Sequence, residues 1–199
     1  MTPFDFRGAL TALALAATAA TSQAADITRT GDLVFDTDVV QFSFTLASAG
    51  SVEFWTDSWQ TGKNFDPTVS VFDASGQLLG TGDDVAGPSP THAGQGAYDS
   101  ELSLAPLAAG RYTLTLSASG NDPLGTTLAD GFSLSGTTPI RIADWNQPSY
   151  DINKNDQKGT AWSLHLSGVD SVSAVPEPAS IALMMAGGLL LAGGLRRKR

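Results

Sequence analysis

The chain of 199 residues contains no cysteine, which excludes a disulfide framework, a thiolate nucleophile and thiolate metal sites. It has only two histidines, His92 and His165, so a zinc centre built on imidazoles is not expected. Basic residues are also scarce: 11 Lys and Arg stand against 20 Asp and Glu, for a net charge of -9. Nucleic acid is thereby disfavoured as a partner, because affinity for it comes from cations that neutralise phosphates. What the chain does have is 21 glycines and 10 prolines, which suit short strands joined by tight turns and argue against an all-helical fold. The length allows one globular domain plus processing segments.

Both ends have the composition of such segments. Arg7 is followed by an uncharged run from Gly8 to Ala25, apolar around Leu10, Leu13 and Leu15 and ending in Ser22-Gln23-Ala24. Small residues three before and one before a cut are what signal peptidase admits, so residues 1–24 are expected to be a signal peptide cleaved between Ala24 and Ala25. At the other end Pro178 to Leu195 is 18 residues without a charge, stopped by Arg196-Arg197-Lys198-Arg199. As a helix it would span roughly 27 Å, enough to cross the hydrocarbon of a bilayer. The four terminal cations should stay cytoplasmic, which places the preceding chain outside the inner membrane. Gly187-Gly188 and Gly193-Gly194 offer close-packing surfaces to another membrane helix.

Before this segment stands Val175-Pro176-Glu177-Pro178, where two prolines hold Glu177 extended and keep it out of the following helix. The order of this motif, Ala179-Ser180, a glycine-rich apolar helix and an Arg/Lys cluster resembles the PEP-CTERM sorting signal of Gram-negative bacteria. The resemblance implies processing by an exosortase, a membrane-embedded cysteine transpeptidase that recognises Pro176, Glu177 and Pro178 and removes the tail. It also implies a transient inner-membrane precursor, a cell-surface or extracellular destination, and association with exopolysaccharide and biofilm.

Between the two ends, 6 basic residues face 18 acids. Apolar and polar residues alternate at Val40, Phe42, Phe44 and Leu46, at Leu102 and Leu104, at Tyr112, Leu114 and Leu116, and at Trp162, Leu164 and Leu166. This period of two predicts half-buried strands. Val52–Phe54 and Val69–Val71 add two more, with shorter candidates at Leu78–Leu79, Phe132–Leu134 and Ile140–Ile142. Turn residues at Ala49-Gly50, Ala74–Gln77 and Ala109-Gly110 separate them at hairpin spacing. The expected fold is therefore all-β: an antiparallel jelly-roll-like sandwich of about eight to nine strands, with an N-terminal signal helix and a C-terminal transmembrane helix. The ectodomain is expected over 25–170 and a tether with the sorting signal over 171–199, comprising a span at 179–195 and a basic tail at 196–199. Val85 to Tyr98 and Ser119 to Leu128 read as surface loops.

A recurrent pattern runs through this domain: Asp36-Thr37-Asp38 before the first alternating strand, then Phe65-Asp66-Pro67, Asp73-Ala74-Ser75-Gly76, Asp83-Asp84, Asp99-Ser100 and Ala109-Gly110-Arg111-Tyr112. Over roughly residues 30–118 this resembles the bacterial pre-peptidase C-terminal domain, a small β-sandwich found beside secreted enzymes and, in related form, in sorted surface proteins.

Three kinds of chemistry are candidates. Asp66, Asp73, Asp83, Asp84 and Asp99 flank strands and loops and would suit calcium, which accepts six to eight oxygens in flexible geometry and which some relatives of this fold bind. The same residues are also ordinary turn formers. Asp151–Asp156 opens like an EF-hand loop, but Asp156 stands where Gly is needed and Trp162 where Glu is needed. Trp55, Trp59, Trp145 and Tyr150 are candidate platforms for sugar rings, Trp55 in particular because alternation points it away from Phe54, while core filling is the competing role. A catalytic centre is not expected: there is no Gly-x-Ser-x-Gly elbow, His165 alternates with Leu164 and Leu166 as an outward polar residue, and His92 lies in a Gly/Pro loop.

Overall fold

The computed structural model describes residues 26–85, 89–146 and 158–175. Ala24, Ala25, Tyr150, the Asp151–Asp156 stretch, Pro176, Glu177, Pro178 and the expected membrane span lie outside the described residues.

Nine strands are described: β1 (Ile27–Asp32), β2 (Val39–Leu46), β3 (Gly50–Thr56), β4 (Pro67–Phe72), β5 (Leu78–Gly82), β6 (Glu101–Leu107), β7 (Gly110–Ala118), β8 (Ala161–Ser167) and β9 (Ser171–Ala174). They form two antiparallel sheets, in the orders β1-β8-β3-β6 and β5-β4-β7-β2-β9, and most connections carry the chain from one sheet to the other. The alternation in β2 sends Phe42, Phe44 and Leu46 into the core; Leu114 and Leu116 of β7 and Val52, Phe54, Leu164 and Leu166 of the facing sheet meet them there. Phe44 lies 5.2 Å from Phe54 and stacks on Tyr112 at 5.2 Å, and Phe42 meets Trp162 edge-on at 5.8 Å. Each buried side chain of this size stabilises the fold by roughly 1.5–3 kcal/mol, which is why the alternating residues decide the sheet faces. Gly31 stands opposite Trp162 in the β1–β8 register, and a Cβ there would come within 2.4 Å of the indole.

Two strands carry little apolar alternation and escape the sequence reading. β1 has Ile27 as its one large apolar residue, and β9, in the stretch read as a tether, has only Val172. Both are held by register instead, β1 along β8 and β9 along β2. Two expected strands are corrected. Phe132–Leu134 is a turn, closed by the Ser135 Oγ on the Phe132 N–H and flanked by Gly131 and Gly136 at positive φ. Ile140–Ile142 is a short bridge to residues 34–36 that passes into a 3-10 turn at Ile142–Asp144.

Alternation points Thr68, Ser70, Phe72, Thr115 and Ser117 away from the core, yet all five are buried. The segment following β7 folds back on this sheet: Ser119 N–H donates to the Asp66 carbonyl at 2.7 Å, Leu78 N–H to Thr126 at 2.8 Å and Leu128 N–H to Gly76 at 2.8 Å. Thr127 and Asp130 cap the 3-10 turn Leu128–Asp130 reciprocally.

Candidate functional site

The outer face of the four-stranded sheet gathers both histidines with several carboxylates. Antiparallel register places Thr28, His165, Trp55 and Glu101 in one row across β1, β8, β3 and β6. Residues 89–99 fold back over that row. His92 stacks on the Trp55 indole with centroids 3.9 Å apart and planes 9° from parallel, and His165 stacks on it at 5.0 Å and 9°. The two histidines of the chain thus converge on one tryptophan. His165 Nε2 lies 3.2 Å from Asp57 Oδ2, and its Nδ1 is 3.1 Å from Thr28 Oγ1. His92 Nε2 lies 3.3 Å from Glu53 Oε1, within ion-pair range but without the alignment of a hydrogen bond, so its attraction depends on ring protonation. Thr91 Oγ1 adds a 2.7 Å bond to Glu101.

Asp99 clamps this cover to the sheet. Its Oδ1 accepts from Thr56 Oγ1 at 2.8 Å, Ser58 N–H at 2.7 Å and Trp59 N–H at 3.1 Å, and its Oδ2 accepts from Gly96 N–H at 2.7 Å. A fully buried carboxylate is tolerated because these donors replace water. Gly96 is required here, since a Cβ would stand 2.4 Å from the Trp59 ring.

The expected sugar platforms are therefore covered by the protein itself. Trp55 does point away from the core, but it is only 8% exposed beneath His92; Trp59 is 6% exposed beside Gly96 and Tyr98. Trp145 packs half-buried against the main core.

The five candidate calcium ligands do not converge, and among the described residues no group of three or more His, Asp or Glu is placed to hold a metal ion. Asp99 spends its oxygens on four protein donors. Asp66 is buried beneath Ser119, whose N–H its carbonyl accepts. Asp73 closes the β4–β5 turn, where the Ser75 hydroxyl and the Gln77 N–H hold its carboxyl below the usual range. Asp83 takes the Thr68 hydroxyl at 2.5 Å, with Asp84 and Asp122 near enough to feel its charge. Partial burial first, and then the charge of Asp83, push the carboxyls of Asp84 and Asp122 up.

What sequence reasoning missed is the pairing of the two histidines, His165 read as an outward polar residue and His92 as a loop residue, with Asp57 and Glu53 as their partners. The missed signal was positional: His165 alternates onto the same face as Trp55, and the buried Asp99 clamp brings the loop carrying His92 down onto it.

At the other sheet, β9 is the edge strand beside β2, with Ser171 Oγ 2.7 Å from Thr45 Oγ1 and Arg29 Nη2 donating to the Val172 carbonyl at 3.3 Å. The pairing persists to Val175, whose N–H donates to the Gln41 carbonyl at 2.9 Å. A comparison with curated proteins finds no match. Among solved structures, the chain is similar to the pre-peptidase C-terminal domain of collagenase from Bacillus anthracis, at 12% identity and a TM-score of 0.36, over 74% of this chain and 89% of that one. The family model of the PEP-CTERM protein-sorting motif matches residues 174–199, beginning at the last residue of β9. The chain carries a PEP-CTERM sorting motif, and with it the mark of an exosortase-processed, exported precursor.

Proposed function

We propose that the protein is an exported, non-enzymatic module of the cell envelope or extracellular matrix, associated with exopolysaccharide. Signal peptidase removes residues 1–24, the segment 179–195 holds the precursor in the inner membrane, and an exosortase acts at Val175, Pro176, Glu177 and Pro178. The observation that carries this reading is the junction: the motif match starts within β9, and Val175 is still bonded to Gln41, so the folded domain abuts the processing site without a linker. A non-enzymatic role is supported by how the titratable groups are spent. His92 and His165 stack on Trp55 opposite carboxylates, and Asp99 is saturated by structural donors.

The test is a Pro176→Ala/Glu177→Ala/Pro178→Ala triple variant in the producing cell. Wild-type protein should fractionate with the surface material and be released by enzymatic degradation of that material, while the variant should stay in the inner membrane. Identical distributions for the two would contradict the proposal.

A further inference from the structure

β9 leads into the sorting motif and is paired on one side only, as the edge of the five-stranded sheet. Its base is fixed. Val169 is 1% exposed in the core, and Gly168 turns the chain at φ 77°, where a Cβ would run into the Ser51 carbonyl. The Asp170 carboxylate accepts the Ala47 N–H at 2.7 Å, and the Asp170 N–H donates to the Thr45 carbonyl at 3.0 Å.

Beyond Asp170 the attachment thins. Within Ser171–Ala174 only Val172 packs a side chain against the core, and it is half-buried. The rest of the hold is surface bonding: the register to β2, the Ser171–Thr45 hydroxyl contact at 2.7 Å and the Val175 N–H on the Gln41 carbonyl at 2.9 Å. The Arg29 guanidinium reaches across from β1 of the other sheet to the Val172 carbonyl at 3.3 Å. A segment with so little buried apolar surface belongs to the part of a fold that opens locally, without global unfolding. β2 does not depend on it, because β7 pairs with every residue of β2 from the other side.

The position of the last bonded residue gives that opening a use. Val175 bonds to Gln41, which lies inside β2 (Val39–Leu46) rather than past its end, so in the closed strand the processing site begins alongside the sheet. An enzyme that cuts an extended peptide grips it through main-chain hydrogen bonds and side-chain pockets. The Val175 N–H cannot serve β2 and such an enzyme at once. Released from Ser171 onward, the five residues 171–175 reach at most about 16–18 Å, enough to set the sandwich back from the cut.

We propose that β9 is a releasable strand: it unzips from β2 as far as Asp170 to let the exosortase engage Val175 to Pro178, and its closed form shields that site. Arg29 is the latch, and Val169 with Asp170 sets the limit of opening. This deepens the sorting reading and rests on it.

The chain has no cysteine, so a pair introduced at Ser43 and Ser173, which face each other in the β2–β9 register, can close only with each other. Directly opposed strand residues lie within the Cα separation of about 4.4–6.8 Å that a disulfide spans. The Ser43→Cys/Ser173→Cys chain is expressed in the producing cell beside the two single variants, and tail removal is followed by intact mass after a pulse of synthesis. The oxidised double variant should lose its tail at least about tenfold more slowly than either single variant, and dithiothreitol should restore the rate. Its melting temperature should match or exceed that of wild type, so the delay is not misfolding. Hydrogen exchange of the full wild-type chain in detergent reads the same opening without any substitution. The Val175 amide should exchange at least about 100-fold faster than the Leu114 and Leu116 amides of the inner strand β7. Equal cutting of the oxidised double variant and the single variants, or protection of Val175 equal to that of β7, would overturn strand release alone. A wild-type chain that keeps its tail would overturn the sorting reading, and strand release with it.

Discussion

The two sheets are covered on their outer faces by opposite means. On the four-stranded sheet, residues 89–99 are held through side chains: the His92–Trp55 stack, the Thr91–Glu101 bond and above all the Asp99 carboxylate. On the five-stranded sheet, the segment from Ser119 is held mainly through backbone pairing, with Thr127 and Asp130 closing a capping box. Backbone pairing tolerates exchange of side chains, whereas a cover hung on one buried carboxylate stands or falls with that residue. The difference teaches where this protein is vulnerable and where its chemistry is concentrated.

The comparison breaks most sharply at Asp99. Asp99→Ala leaves the donors of Thr56, Ser58, Trp59 and Gly96 without their acceptor and should cost about 3–5 kcal/mol in urea-unfolding measurements at neutral pH. His92→Ala removes the ring over Trp55; it should cost about 1–2 kcal/mol and shift tryptophan emission to the red as the indole meets water. On the other cover, Thr127→Ala should cost about 1 kcal/mol by thermal melt, with tryptophan emission unchanged. A larger loss at Thr127 than at Asp99 would reverse the ranking of the two covers.

The smallest expected effect lies at the acidic end of β5. The carboxyls of Asp84 and Asp122 hold their protons to higher pH in the fold than in the unfolded chain. The folded state therefore binds more protons across the carboxylate range, and the stability these groups contribute is complete below their ordinary pKa and lost as pH rises through the raised values. Asp122→Asn should raise the melting temperature slightly at pH 7, the gain being limited by solvent screening, and should give no gain at pH 3. A gain at pH 3 equal to that at pH 7 would show that charge is not the cause.

The sheet faces were legible wherever apolar residues alternate, as at Phe42–Phe44–Leu46 and Leu114–Leu116, because burial of those side chains is a strong local signal. β1 and β9 were not, since Thr28, Thr30, Ser171 and Ser173 offer polar faces whose strand pairing is decided by partners more than 100 residues away in sequence. The sorting motif over residues 174–199 was legible because the order of Val175-Pro176-Glu177-Pro178, the apolar run and the basic end lies in one continuous stretch of chain. The candidate site was only half legible. Trp55 could be assigned to the outer face, but composition does not say whether a Gly/Pro loop returns to the sheet, and the bonds that return it join Asp99 to Thr56 and Ser58 across more than 40 residues.

The most direct test of the central claim is the intact mass of the native protein from surface and inner-membrane fractions. The account predicts a surface species that begins near Ala25 and ends within Val175 to Pro178. A surface species that retains Arg196 to Arg199, or a protein found solely as the uncut chain in the inner membrane, would contradict it.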